Sequence, residues 1–154
     1  MDNKKIMTIT IVHQDEKVLL AMKKRGFGMG RYNGFGGKIE EGETIEEAAR
    51  RETFEEGNIE LIDLVELGVI DFYSQGKKGY LEIHIFKSTK FNGAPEETEE
   101  MKPQWFAVDE IPFKKMWSDD PYWFPLFLAN KKFKGKFVFD DKDQVLEHEI
   151  KEVC

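Results

Sequence analysis

An α/β fold, with a mixed β-sheet packed between helices, is what this sequence predicts. Three observations carry that reading. Strand-like runs recur along the chain, two helix signals interrupt them, and the length and balance suit one domain with one substantial core: 154 residues, 40% apolar and 34% charged. The whole of 1–154 is therefore read as a single domain, without linker, repeat or low-complexity segment.

Residues 5–13 and 17–23 read as strands separated by a polar turn at Gln14–Glu16. Lys23–Arg31 holds Gly26, Gly28 and Gly30 and reads as a flexible loop, and the GFGG run at Gly34–Gly37 lets backbone approach a ligand closely. Thr44 is a good helix N-cap, and Glu47 completes a capping box, so a helix should run from 45 to 57. Long strand patterns follow at 59–73 and 79–89, joined by the turn QGKKG, then an acidic loop at 90–100 and a strand at 102–108. Asp120–Pro121 signals a second helix start, with Pro125 near its first turn. FKGKFVF and QVLEHEI flank the DDKD turn as a final hairpin.

The first helix conflicts with its own pattern. Taking Ile45 as reference and advancing ~100° per residue, Ala48, Ala49, Glu52 and Glu56 fall within roughly 60° of it, with Glu55 at the edge of the stripe. Carboxylates facing a core are costly to ionise, and three together repel. A hard divalent cation removes both problems, which points to Mg²⁺, or Mn²⁺, on Glu52, Glu55 and Glu56. A solvated acidic helix end is the competing account of these three residues alone.

Net charge is −7, which argues against a grip on a nucleic-acid polymer, while Lys23, Lys24, Arg25, Arg31 and Lys38 supply local positive charge before the acidic helix. No apolar run approaches the ~20 residues of a membrane span, and the N-terminus has no signal-peptide pattern. The one cysteine, Cys154, allows no internal disulfide, which suits the cytoplasm. His13, His84 and His148 show no zinc-ligand spacing. A monomer is expected of a compact domain with no interface stripe.

The stretch GKIEEGETIEEAARRETFEEGNI resembles the Nudix box, G-x5-E-x7-R-E-U-x-E-E-x-G-U, where U is a bulky aliphatic residue. Gly37, Glu43, Arg51, Glu52, Glu55, Glu56 and Ile59 match at the required spacing. Thr53 stands where an aliphatic residue is usual and Asn58 where glycine is usual; Asn tolerates the left-handed conformation a helix end needs, and Gly57 offers a cap shifted by one residue. The segments KKRGFGMGRYNGFGGK, EEMKPQWF, IPFKKMWSDDPYWFP and KKFKGKFVF are similar to the animal MutT-homologue branch of that family.

The resemblance implies the α/β/α Nudix fold and Mg²⁺-dependent hydrolysis of oxidised purine nucleoside triphosphates, of the 8-oxo-dGTP type, to monophosphate and pyrophosphate. It adds the Gly36 carbonyl and Glu100 to the metal ligands, although Glu100 is also one of several acids in EETEE. Glu52 or Glu56 could be the general base, with Glu100 a third candidate; Arg51 orients the acids by bidentate pairing, and Glu43 stands behind them or at the helix start. Lys23 and Lys38 are candidate phosphate contacts, or ordinary surface lysines.

Positions matching Asn33, Asp119 and Asp120 hold the purine in that branch. Neighbouring carboxylates can share a proton, and so can both donate and accept; capping the next helix is their other possible role. Phe27, Phe72 and Trp117 are the stacking candidates, with Thr8 and Met101 at the pocket wall, while Trp123, Phe124, Phe127 and Phe139 are assigned to the core. Tyr32 and Leu81 replace the tryptophan and methionine usual at two lining positions. Rival readings are a Nudix hydrolase of another nucleotide and a nucleotide sensor that does not turn over.

Overall fold

A computed structural model describes residues 3–153, so the expectation placed on Cys154 lies outside them. β1 (Lys4–Gln14) and β2 (Lys17–Lys23) form the predicted hairpin, but pair only where Val12–Gln14 meets Lys17–Leu19. They then part, and the glycine-rich segment fills the gap. β3 (Tyr32–Asn33) pairs with Ala21 and Met22 of β2, while Phe35 and Lys38 bridge to Thr10 and Met7 of β1.

α1 (Ile45–Gly57) begins as its sequence dictates. Thr44 Oγ1 accepts from the Glu47 N–H at 3.1 Å, and the Glu47 carboxylate accepts from the Thr44 N–H at 2.9 Å. Asn58 takes the left-handed cap, at φ 58°, and its N–H donates to the Phe54 carbonyl. The cap does not shift to Gly57, which stays helical because it packs against Phe35: a Cβ there would lie 2.7 Å from the ring.

β4 (Glu60–Leu61), β5 (Val65–Ser74), β6 (Tyr80–Ser88), β7 (Phe91–Asn92) and β8 (Met101–Ala107) follow. The pattern read as one strand over 59–73 is two strands. The break at 62–64 comes from Asp63, whose carboxylate accepts from Ser88 Oγ (2.8 Å) and from the N–H groups of Thr89 (2.7 Å) and Lys90 (2.9 Å). β4 pairs with β7 inside what reads as an acidic loop. α2 (Asp120–Leu128) opens on Asp120–Pro121, but Pro125 lies inside the helix rather than in its first turn, and so cannot donate to the carbonyl one turn back. β9 (Phe133–Phe139) and β10 (Val145–Glu152) form the final hairpin.

The large sheet has eight strands in the order β10-β9-β5-β6-β1-β2-β3, with β8 also on β2. It is mixed: β1 runs parallel to β6 and β5 parallel to β9, while the other pairs are antiparallel. One face packs Ile11, Leu20, Ile70 and Ile85 against Trp123, Phe124 and Phe127 of α2. The other packs Val12, Leu19, Ala21, Phe35, Ile59 and Met101 beneath α1, which buries Ala48, Ala49 and Thr53. Among the described residues no helix is long and apolar enough to cross a membrane.

The α1 cap anchors the helix that carries the acids. Thr44→Ala should lower unfolding stability by about 1 kcal/mol, seen as a lower urea midpoint with an unchanged slope.

Candidate active site

Spacing on α1 brings Glu52, Glu55 and Glu56 to one side, yet their surroundings differ sharply. Glu56 is buried, Glu52 is largely covered at 16% side-chain exposure, and Glu55 is open at 57%. Glu56 lies against the inserted glycine segment, where its Oε1 accepts the Gly36 N–H at 2.9 Å. Glycine is required at two positions here. A Cβ on Gly36 would sit 1.7 Å from the Thr8 carbonyl oxygen, and one on Gly37 would sit 2.7 Å from the Glu52 carboxyl carbon. The Thr8–Gly37 and Thr10–Phe35 backbone bonds tie the segment to β1, and strand alternation turns the intervening Gly36 carbonyl away from that partner.

Arg51 organises the acids as its sequence position suggests. Its guanidinium grips Glu43 with two bonds (2.7 and 3.0 Å), reaches Glu52 at 2.8 Å and Glu55 at 3.3 Å, and donates to the Lys38 carbonyl at 3.1 Å. The bond to Arg51, helped by the Glu40 N–H, holds the Glu43 carboxyl below its ordinary range. Glu100, on the approach to β8, is engaged elsewhere: Arg25 donates to its Oε1 from Nε (2.9 Å) and Nη2 (2.5 Å), which keeps that carboxyl low. Glu56 has no arginine. Burial pushes its carboxyl up to about 7; the Glu52 and Glu100 charges add to the rise, and the Gly36 N–H and Lys23 oppose it. Lys38 is exposed.

With Glu52 and Glu55 turned to Arg51 and Glu100 to Arg25, no three acidic, histidine or cysteine side chains among the described residues converge on one point where an ion could sit. The donor chemistry nevertheless fits a hard divalent cation. The set is all oxygen, and its one buried member is raised by burial first and by neighbouring like charges second, both of which a cation would offset.

The second cluster lies on the α2 face. Asp119 precedes α2 but makes no side-chain cap bond; its Oδ2 accepts from Trp123 Nε1 at 2.8 Å. The helix-cap alternative thus fails for Asp119. Both Asp119 and Asp120 are buried, at 4% and 3% exposure, and Asp120 Oδ2 has no hydrogen-bond partner. Burial raises both carboxyls, and the Asp119 charge raises Asp120 further, so the pair retains a proton where isolated aspartates would not. Phe27, 69% exposed, meets the Trp117 ring at 5.0 Å between centroids. Phe139 links Trp117 (6.1 Å) to Phe72 (5.6 Å, 4° between planes) in a continuous aromatic run. Phe139 is buried, as its core assignment requires, but its place in this run depends on the distant β9–β5 pairing.

Not every candidate joins this pocket. Met101 is buried with Ala21 and Phe35 on the α1 face, and Thr8 shares the face of Val12 by strand alternation. Their side chains therefore lie on the α1 face, whereas Phe72 packs with the α2-side core. Thr8 Oγ1 and Thr10 Oγ1 are buried without partners, and Thr10 carried no sequence signal. Asn33 Oδ1 accepts from the Gly34 N–H at 2.8 Å. Tyr32 lines a neighbouring cleft of ≈ 530 Å³ with Gln104 and Phe106, and its hydroxyl donates to Gln104 Oε1 at 3.3 Å. Leu81 packs against the α2-side core.

An acidic helix facing a glycine-rich wedge, in a mixed sheet between two helices, is the arrangement the NUDIX domain describes. The model of that domain matches residues 4–127, and the chain belongs to this family of hydrolases. Among curated relatives it is 49% identical over 153 residues to the mouse (Mus musculus) oxidized purine nucleoside triphosphate hydrolase, covering 99% of this chain and 98% of that one. The zebrafish (Danio rerio) protein of the same name is 48% identical over the same span. The MutT protein of Bacillus halodurans superposes with a TM-score of 0.85 at 27% identity, covering 95% of this chain and 97% of that one.

The Glu56 environment has a consequence for stability. The folded metal-free protein keeps this proton up to about pH 7, whereas the ordinary value is 4.5, so the unfolded chain binds fewer protons between those limits. Glu56 should therefore contribute a fall in stability of about 3 kcal/mol as pH rises through that window. Denaturant titrations of metal-free protein from pH 4.5 to 8 should show this decline, reduced by that amount in Glu56→Gln.

Proposed function

We propose that this Nudix hydrolase cleaves oxidised purine nucleoside triphosphates of the 8-oxo-dGTP type to monophosphate and pyrophosphate, clearing them from the nucleotide pool. The observation that carries the proposal is the buried Asp119–Asp120 pair, with an unpartnered carboxyl oxygen, beside the aromatic run of Trp117, Phe139 and Phe72. Oxidation at C8 converts the purine N7 from an acceptor to an N–H donor. A half-protonated carboxyl pair can accept from that edge and donate to a neighbouring carbonyl, so it favours the oxidised base over the normal one. Asn33 adds a donor and an acceptor, and Phe27, Phe72 and Trp117 pack on the ring. The 48–49% identity to relatives named for this activity, over nearly the full chain, supports the same reading.

The α1 face does the phosphate chemistry. Glu52, Glu55, Glu56, Glu100 and the Gly36 carbonyl are the proposed ligands of Mg²⁺, with Mn²⁺ a substitute. When bound, the ion supplies charge neutralisation on the phosphates and a more acidic water. Lys23, whose charge already acts on Glu56 and Glu100, holds phosphate oxygens together with Lys38. Arg51 keeps Glu52 in place. Between Glu52 and Glu56, only Glu56 is free of an arginine, so it is the better proton acceptor for the attacking water. Thr8 and Met101 complete the proposed substrate-binding set from the α1 side of the sheet. The substrate is a small nucleotide, bound by a single domain acting as a cytoplasmic monomer.

Pyrophosphate release from 8-oxo-dGTP and dGTP, measured side by side with Mg²⁺ at neutral pH, tests the reading. A large kcat/KM advantage for 8-oxo-dGTP is expected; equal slow turnover would remove the sanitising role, and binding without release would indicate a sensor. Glu56→Gln should lower kcat by about 10²–10⁴-fold. Asp119→Ala should cut the preference for the oxidised base by roughly 10–100-fold, matching a lost buried hydrogen bond to a charged group.

A further inference from the structure

The glycine-rich loop does more than present Phe27. It closes on itself at its base, where the Lys23 N–H donates to the Arg31 carbonyl at 3.0 Å and the Gly30 N–H to the Lys23 carbonyl at 2.8 Å. The loop thereby brings Arg31 back beside Trp117. The Arg31 guanidinium carbon lies 4.0 Å from the indole centroid, and its Nη1 lies 3.5 Å from Asp143 Oδ2. Asp143 belongs to the turn between β9 and β10, and its carbonyl accepts from Ser118 Oγ at 2.9 Å, one residue beyond Trp117. Gly28 presses on the same ring: a Cβ there would fall 3.2 Å from Trp117 Cζ2.

A guanidinium stacked at that distance covers one face of the indole and leaves only the other for a planar ligand. Asp143 fixes the guanidinium, and Ser118 fixes Asp143 to the segment carrying Trp117. We propose that Arg31 is a positioning residue for base selection: held by Asp143, it sets the plane of Trp117 so that the indole presents one face toward the Asp119–Asp120 pair. The inference rests on the reading that Trp117 packs on the substrate base.

The test compares Arg31→Ala, Arg31→Lys and Asp143→Asn with the wild type and with Trp117→Ala. The readouts are KM and kcat for 8-oxo-dGTP, and affinity for the uncharged nucleoside 8-oxo-deoxyguanosine, followed by tryptophan emission or by calorimetry. Arg31→Ala should raise KM and weaken nucleoside binding about fivefold, with kcat within about twofold. Arg31→Lys should recover part of the loss, and the effects of Arg31→Ala and Asp143→Asn should not add. Unchanged nucleoside affinity in Arg31→Ala overturns the proposal. If triphosphate binding alone weakens, Arg31 is a phosphate contact and the positioning role is wrong. Failure of the wild type to hydrolyse 8-oxo-dGTP would sink the functional reading separately, since nucleoside affinity is measured without turnover.

Discussion

The close approach of Gly36 to β1 is the constraint on which the site depends. Backbone lies where a side chain would otherwise stand, with no room for even one carbon between Gly36 and the Thr8 carbonyl. That contact seats the segment in the opening between β1 and β2, and it lets the Gly36 N–H reach a carboxylate on α1. Glu56 is buried because of this contact, and Glu52 is pressed against Gly37 for the same reason. Sheet, wedge and helix are thus one unit.

The two polar clusters handle charge differently. On the α1 face, arginines neutralise the more accessible acids, and burial raises the one buried carboxyl toward neutral. On the α2 face Asp119 accepts a tryptophan N–H, and Asp120 keeps an unsatisfied oxygen. An unsatisfied buried polar group costs about 1–3 kcal/mol. Such a group is more common at a binding site than in an ordinary core.

Much of this was legible in the chain. The α1 boundaries follow from Thr44, Glu47 and Asn58, because capping is local chemistry between residues a few positions apart. The conflict between a buried stripe and its glutamates also lies within one helix. What escaped depends on contacts distant in sequence. Asp63 breaks a strand pattern by bonding to residues 25–27 positions away, and Arg25 takes Glu100 across 75. Strand alternation separates Thr8 from Ile9 but cannot say which face meets α2, so the faces of Thr8 and Met101 are not legible in the chain. Phe139 carries no local mark that distinguishes a stacked aromatic from a packed one.

The loop between Lys23 and Arg31 touches both clusters at once. Near its start Arg25 holds Glu100, and at its end Arg31 lies on Trp117. A short, self-closed segment joins the two ends. In thermodynamic terms, any coupling free energy between the two ends is reciprocal. By whatever factor occupation of the acidic side alters affinity for the base, occupation of the base side alters affinity for the cation by the same factor. If the proposed cation and base sites are coupled in this way, an apparent metal affinity is defined only at a stated nucleotide concentration.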